Sequence, residues 1–254
     1  MTRKNIYPLP SIRENALFDR YSTIAIEHYY LAKQKYEELL SADIVFPDLN
    51  MDVYNTAIDV CNNSIISVVF SAMCIESFLN NYAAACIGDK DFYDNFDKLS
   101  PEGKFKLISL FILKAEIDKG ASYYCHLRKL FKTRNLYVHN KSQGVSFQDF
   151  YKKHDSTPMT LEEIKDLEEH PENYELIVDS KEQWKEENEC ISNAQNGIKA
   201  MRDIAVFFDT YDANVHAVLS LFNPAMNDYV LDVEHPLKRV LYDFDIPYEK
   251  WKYK

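Results

Sequence analysis

Arg134 and His139, five positions apart, stand in a stretch of the chain where basic residues gather without acids. From Lys119 to Gln148 the sequence holds Lys119, Arg128, Lys129, Lys132, Arg134 and Lys141, with His126 and His139, and no Asp or Glu. The chain as a whole has 254 residues and a formal net charge of −11. A local reversal of sign in so acidic a chain suits a polyanion, above all a phosphodiester backbone. The competing reading is a solvated helix face whose charges meet acids from elsewhere. An imidazole titrating near pH ~6.5 can move protons at neutral pH, and a guanidinium carries a permanent charge in a planar fork. The bare spacing is weak evidence, because seven Arg and seven His in a chain of this length produce such a pair by chance in about one chain in five.

Helical geometry adds a constraint. Asn135 and His139, four apart, share a face. Arg134 and His139 lie about 140° apart around a straight helix. Arg134 must therefore curl back to that face or meet a second copy of the site across an interface. Glu76 is the other residue of interest, a carboxylate in the most apolar stretch of the chain. An embedded acid must be paired or neutral, so Glu76 is expected to partner Arg134 or His139 as a supporting group; otherwise it simply reaches the helix surface near Asn80. Lys104, Arg128, Lys129, Lys132 and Lys141 are candidates to position a nucleic acid.

Other chemistries leave no trace. There is no HExxH, no Cys/His cluster and no GxSxG elbow, so no metal site and no cofactor is expected. Five glycines cannot write a dinucleotide fingerprint or a P-loop, and neither pattern occurs. The cysteines, at 61, 74, 86, 125 and 190, form no CxxC pair and lie mostly in apolar helical patterns. They read as reduced, buried thiols of a cytoplasmic protein.

The segment Arg134-Asn135-Leu136-Tyr137-Val138-His139 resembles the signature of the HEPN family (higher eukaryotes and prokaryotes nucleotide-binding domains): an Arg, four to six residues and a His, often with a polar residue after the Arg. Its surroundings are similar to the family too: the apolar run Ser71-Ala72-Met73-Cys74-Ile75-Glu76-Ser77-Phe78-Leu79-Asn80, then Pro101-Glu102-Gly103-Lys104-Phe105, then Leu127-Arg128-Lys129-Leu130-Phe131. The resemblance covers about residues 50–141, with the 181–221 helix completing the bundle. It implies a metal-independent endoribonuclease of a toxin–antitoxin or antiviral-defence system, acting on RNA as a homodimer, with an antitoxin or other regulatory protein as a further partner. In that chemistry His139 moves a proton between the ribose 2′-OH and the leaving 5′-oxygen. Arg134 meets the charge building on the phosphoryl oxygens, and Asn135 holds the phosphate or the imidazole. Lys141 stands two after the His, where family members modified by a partner nucleotidyltransferase carry Tyr; that partner system is not implied. The alternative function is a helical scaffold or binding module without chemistry, favoured by the acidity of the rest of the chain.

The elements that must position these residues are helical. Scarce glycine disfavours sandwiches and barrels, which need many tight turns. Apolar periodicity predicts helices from Ser11 or Asp19 to Leu40, Met51 to Cys86, Ser100 to near Gly120, Ser122 to Asn140, and Lys181 to Leu221. The expected architecture is all-α, an up-and-down bundle of about five main helices in one domain over 1–254, with an insertion at 142–180 that includes a short strand near Tyr174–Val178, and a C-terminal extension at 223–254. Neither a secretory leader nor a membrane span is expected, since Ile65 to Leu79 is interrupted by Ser67, Ser71, Glu76 and Ser77.

Overall fold

The computed structural model describes residues 17–41, 51–139 and 185–212. They are all-helical, with no strand among them: α1 (Phe18–Ser41), α2 (Met51–Ile87), α3 (Asp89–Asn95), α4 (Pro101–Leu107) running into a π-helical turn (Ile108–Ile112), α5 (Ser122–Val138) and α6 (Lys185–Tyr211). The expected insertion and its strand, the C-terminal extension, the lead-in before residue 17 and the continuation of the last helix to Leu221 lie outside the described residues.

The central helix is α2, packed against α1, α5 and α6. Its sequence is apolar over most of its circumference, and it buries Val68, Ala72, Ile75 and Leu79 completely. By length and composition it is also long enough and apolar enough to cross a membrane, a feature that the expectation from the shorter run 65–79 missed. Here 44% of that apolar window is buried in the fold. Small residues let the neighbours come close. Ser67 Oγ donates to the Ala25 carbonyl of α1 at 2.8 Å. At the crossing with α6, a Cβ on Gly197 would stand 2.8 Å from Ser71 Oγ, 3.0 Å from Ser71 Cβ and 3.4 Å from Leu130 Cδ1. Gly197→Ala should therefore destabilise the protein: overpacking of about 1–3 kcal/mol outweighs a helix-propensity gain of about 1 kcal/mol. A urea titration checks this, with a loss of up to about 2 kcal/mol expected.

At one end of the bundle Phe78 and Tyr82 of α2 stand edge-on to Phe208 of α6, each 4.9 Å from its ring centre, and Phe105 of α4 meets Phe207 at 5.0 Å. The Tyr82 hydroxyl donates to Asp212 Oδ2 at 2.7 Å, which ties down the last described turn of the chain. Burial pushes the Tyr82 phenol well above its ordinary range.

Helix punctuation follows local chemistry. Gly88 ends α2 at φ 87°, a conformation suited to glycine. Ser100 caps α4 by accepting from the Gly103 N–H at 3.2 Å, with Pro101 at the first helical position. The helix predicted to run to Gly120 stops at Ile112 instead. Ser109 Oγ donates to the Phe105 carbonyl at 2.8 Å, competing with the backbone for that acceptor. The ladder shifts to a wider turn, with the Leu113 N–H on the Ile108 carbonyl at 3.0 Å. Lys114 at φ 53° then turns the chain out of the helix. Two further expectations are corrected. A short helix, α3, occupies the connection after Gly88. Of the cysteines, Cys74 and Cys190 are buried, Cys61 and Cys86 are half-buried and Cys125 is exposed.

Candidate functional site

The helix that carries the site is α5. It packs Tyr124, Leu127, Leu130, Phe131 and Thr133 into the bundle and leaves the opposite arc in solvent. Two contacts pin its last turns. Asn193 of α6 donates from Nδ2 to the Tyr137 hydroxyl at 3.3 Å, and burial pushes that phenol up to about 12. Arg134 Nη2 lies 3.2 Å from Glu76 Oε2 of α2, while its guanidinium stands 5.6 Å from the Phe131 ring centre. His139 follows the last helical residue as C-cap, at φ −114° and ψ 44°, and its N–H donates to the Asn135 carbonyl at 3.0 Å.

Glu76 thus lies within reach of Arg134, and it has a second cation. Lys104 of α4 is only 2% exposed, and its ammonium is 3.8 Å from Glu76 Oε1. Lys104 is therefore no surface cation for a nucleic acid, contrary to the reading of its sequence position. The seven-residue helix α4 lies against α2, so the lysine reaches inward to the carboxylate.

The remaining sequence candidates form a line. Arg128, Lys129, Lys132, Asn135 and His139 are all exposed. At 100° per residue, positions 128, 132, 135 and 139 fall within about 60° of one another, and at 1.5 Å per residue they span about 16 Å of the helix. Arg128, Lys132, Asn135 and His139 thus make one exposed stripe, with Lys129 off to one side. None of Arg128, Lys129 and Lys132 forms an ion pair among the described residues. Arg134 is turned off the stripe toward α2, and no hydrogen bond joins it to His139 among the described residues. Lys141 lies outside them.

Of the island's other residues, His126 has its partner within the fold. His126 Nδ1 meets Asp203 Oδ2 of α6 at 2.8 Å, Arg202 Nη2 meets Asp203 Oδ1 at 2.7 Å, and Asn196 Nδ2 donates to the His126 carbonyl at 3.1 Å. Glu102 accepts from Lys106 Nζ at 2.8 Å and from the Tyr124 hydroxyl. The lysine first and the hydroxyl second hold the Glu102 carboxyl below its ordinary range. The His126–Asp203, Asn196–His126 and Tyr124–Glu102 contacts join residues of separate helices, which no local pattern in the sequence marks; Glu102–Lys106 is an i,i+4 pair and Arg202 and Asp203 are neighbours in sequence. Among the described residues there is no group of three His, Cys, Asp or Glu placed to hold a metal ion. No protein-family model, curated protein or solved structure matches the chain.

Proposed function

We propose that the protein is a metal-independent endoribonuclease of HEPN type that binds RNA along the exposed stripe of α5 and cuts it at His139. The observation that carries this reading is the stripe itself: two cations, an amide and an imidazole on one solvent-facing line of α5, with Glu102 near enough to Arg128 to feel its charge. Arg128 and Lys132 meet successive phosphates. His139, exposed at the helix end, is open to a ribose 2′-OH or a leaving 5′-oxygen. Attack of the 2′-oxygen on phosphorus expels the 5′-oxygen and leaves a 2′,3′-cyclic phosphate and a 5′-hydroxyl, so only protons need to be moved and no metal is required.

One chain converges its groups incompletely, because Arg134 is held by Glu76 away from the stripe. A homodimer with a two-fold axis near the end of α5 supplies the missing charge, by placing the Arg134 of one copy beside the His139 of the other. Leu136 and Val138, 64% and 51% exposed beside the site, are apolar surface for such an interface. A cytoplasmic toxin or antiviral effector restrained by an antitoxin is the setting that fits this activity.

The decisive experiment is incubation of the purified protein with mixed RNA in excess chelator. Cleavage with cyclic-phosphate ends is expected at the same rate as in divalent ions. Activity that disappears in chelator and returns with a divalent ion defeats the reading. A second reading, a helical scaffold without chemistry, is favoured by the Arg134–Glu76 pair, which gives Arg134 a purely structural partner. It predicts stable binding of a partner and intact RNA.

A further inference from the structure

Two of the five cysteines meet across the bundle. All five are thiols in the structure, and Cys61 of α2 shares a side-chain hydrogen bond with Cys190 of α6. The register of the helices brings them together. α2 and α6 run parallel, since Ser71 packs on Gly197 and, eleven positions further along both helices, Tyr82 meets Phe208. Followed back toward their starts, the same two faces arrive at Cys61 and Cys190. Cys190 is 7% exposed and Cys61 is half-buried. Cys190 has a second partner in the Tyr137 hydroxyl of α5, which hydrogen-bonds its sulfur. That hydroxyl accepts from Asn193 Nδ2, one turn along α6, at 3.3 Å, so its own hydrogen is left to point at sulfur. An S–H and an O–H therefore converge on Cys190. The bond from Cys61 lowers the Cys190 thiol from its ordinary value, burial opposes it, Tyr137 lowers it again, and Glu186 and Glu187 oppose; the net direction is down. Cys61 moves the other way, pushed well up by the same bond and by burial. Such a pair divides thiol chemistry between a stabilised thiolate that attacks and a protonated partner that resolves. Cys74, fully enclosed, is instead pushed well up by burial, as an inert structural thiol is.

We propose that Cys190 and Cys61 are an oxidant-responsive pair that hydrogen peroxide closes to an intramolecular disulfide, and that this closure releases Tyr137 at the end of α5. The Cys190 sulfur attacks one peroxide oxygen; an S–O bond forms, the O–O bond breaks, and the leaving hydroxide takes a proton and departs as water. Cys190 is then a sulfenic acid. The Cys61 sulfur gives up its proton and attacks Cys190; the S–S bond forms, the S–O bond breaks and a second water leaves. Two thiols lose two electrons in all, and one peroxide becomes two waters. The sulfurs start in hydrogen-bond contact, so closure asks for a shift of about 2 Å to reach disulfide length. Once oxidised, Cys190 no longer carries the charge to which the Tyr137 hydroxyl donates. Tyr137 stands two positions before His139, so the loss falls on the turn that carries the imidazole.

The test uses the full chain and its Cys61→Ser, Cys190→Ser and Tyr137→Phe variants, each close in size to the parent residue; serine at 190 keeps an acceptor for Tyr137. After a small excess of hydrogen peroxide, peptide mapping without reductant should show Cys61 joined to Cys190, and thiol titration in denaturant should fall from five to three. Either serine variant should lose the crosslink, and in Cys61→Ser the sulfenic-acid trap dimedone should label Cys190. Tyr137→Phe should slow crosslinking about threefold: one charge-assisted hydrogen bond fewer leaves about tenfold less thiolate, partly offset because the more basic sulfur is the better nucleophile. Crosslinks through Cys125 instead, five thiols surviving treatment, or a Cys61→Ser protein without label at Cys190 overturns the pair. Amide hydrogen exchange over residues 132–139 reads the second half. It should quicken several-fold on oxidation, recover with dithiothreitol and stay unchanged by peroxide in Cys190→Ser. A mapped disulfide with unchanged exchange overturns the link to Tyr137. None of these readouts needs RNA cleavage, so the pair stands or falls separately from the ribonuclease reading.

Discussion

His139→Ala should abolish RNA cleavage and leave the melting temperature almost unchanged. His139 is exposed, and the hydrogen bond it makes among the described residues runs from its backbone N–H to the Asn135 carbonyl, which alanine keeps. Surface substitutions of this kind move stability by about 0.5 kcal/mol or less. Removing a positioned proton carrier costs about 10²–10⁴ in rate, and in a homodimer both copies lose it. Arg134→Ala should cost about a hundredfold or more if the guanidinium meets the transition-state charge. The two variants together test where that charge comes from. If each site takes its arginine from one copy and its histidine from the other, equal mixing gives half heterodimers, each with one intact site of two, and about a quarter of the parent activity returns. If both groups act within one chain, nothing returns. Cleavage assays on the separate and mixed variants, with sedimentation at micromolar concentration, read this directly. A monomer, or a His139→Ala protein that cuts RNA normally, ends the composite-site idea.

What could be read from the sequence was what is decided locally. Ser100-Pro101 sets its own cap within four residues, Gly88 marks the end of α2, and the all-round apolarity of α2 announces a central helix. The shared face of Asn135 and His139 follows from spacing alone, as does the offset of Arg134, though spacing left open whether Arg134 curls back to that face. The misses came from competition that periodicity does not record. The apolar run from Phe105 to Leu113 continues a helical pattern, yet the turn widens over Ile108–Ile112 and the helix stops there. Lys104 sits in a short helix whose charged residues look solvated in sequence; its burial depends on α4 lying against α2 and on a carboxylate 28 positions away. His126 counted toward a basic island and turned out to belong to Asp203, 77 positions later. The stripe from Arg128 to His139 could have been found, because it needs only the 100° rotation per residue and the knowledge of which arc of α5 is buried.

Glu76→Gln should be the most damaging single change among the buried ionic groups, and its cost should fall on stability before chemistry. The carboxylate balances Lys104, which is almost fully enclosed, and Arg134, which is a fifth exposed. Losing one partner of a buried pair costs about 3–5 kcal/mol because the other charge is left unpaired. Glu76 is itself 32% exposed, so water softens the loss to about 2–3 kcal/mol, a value that denaturant titration resolves. Lys104→Met removes the stranded ammonium while keeping the apolar stem, and the Glu76→Gln, Lys104→Met double variant should return to within about 1 kcal/mol of the parent. That recovery is the distinguishing result: if the double variant is as unstable as the sum of the singles, Lys104 and Glu76 are not coupled and the 3.8 Å approach carries no energy. The rescued double variant then isolates the part Glu76 plays toward Arg134. With the fold restored, Arg134 has lost its fixed anchor but not its charge, so cleavage should fall less than in Arg134→Ala, through kcat rather than KM, as a misplaced guanidinium stabilises the transition state less well while phosphates still bind along α5.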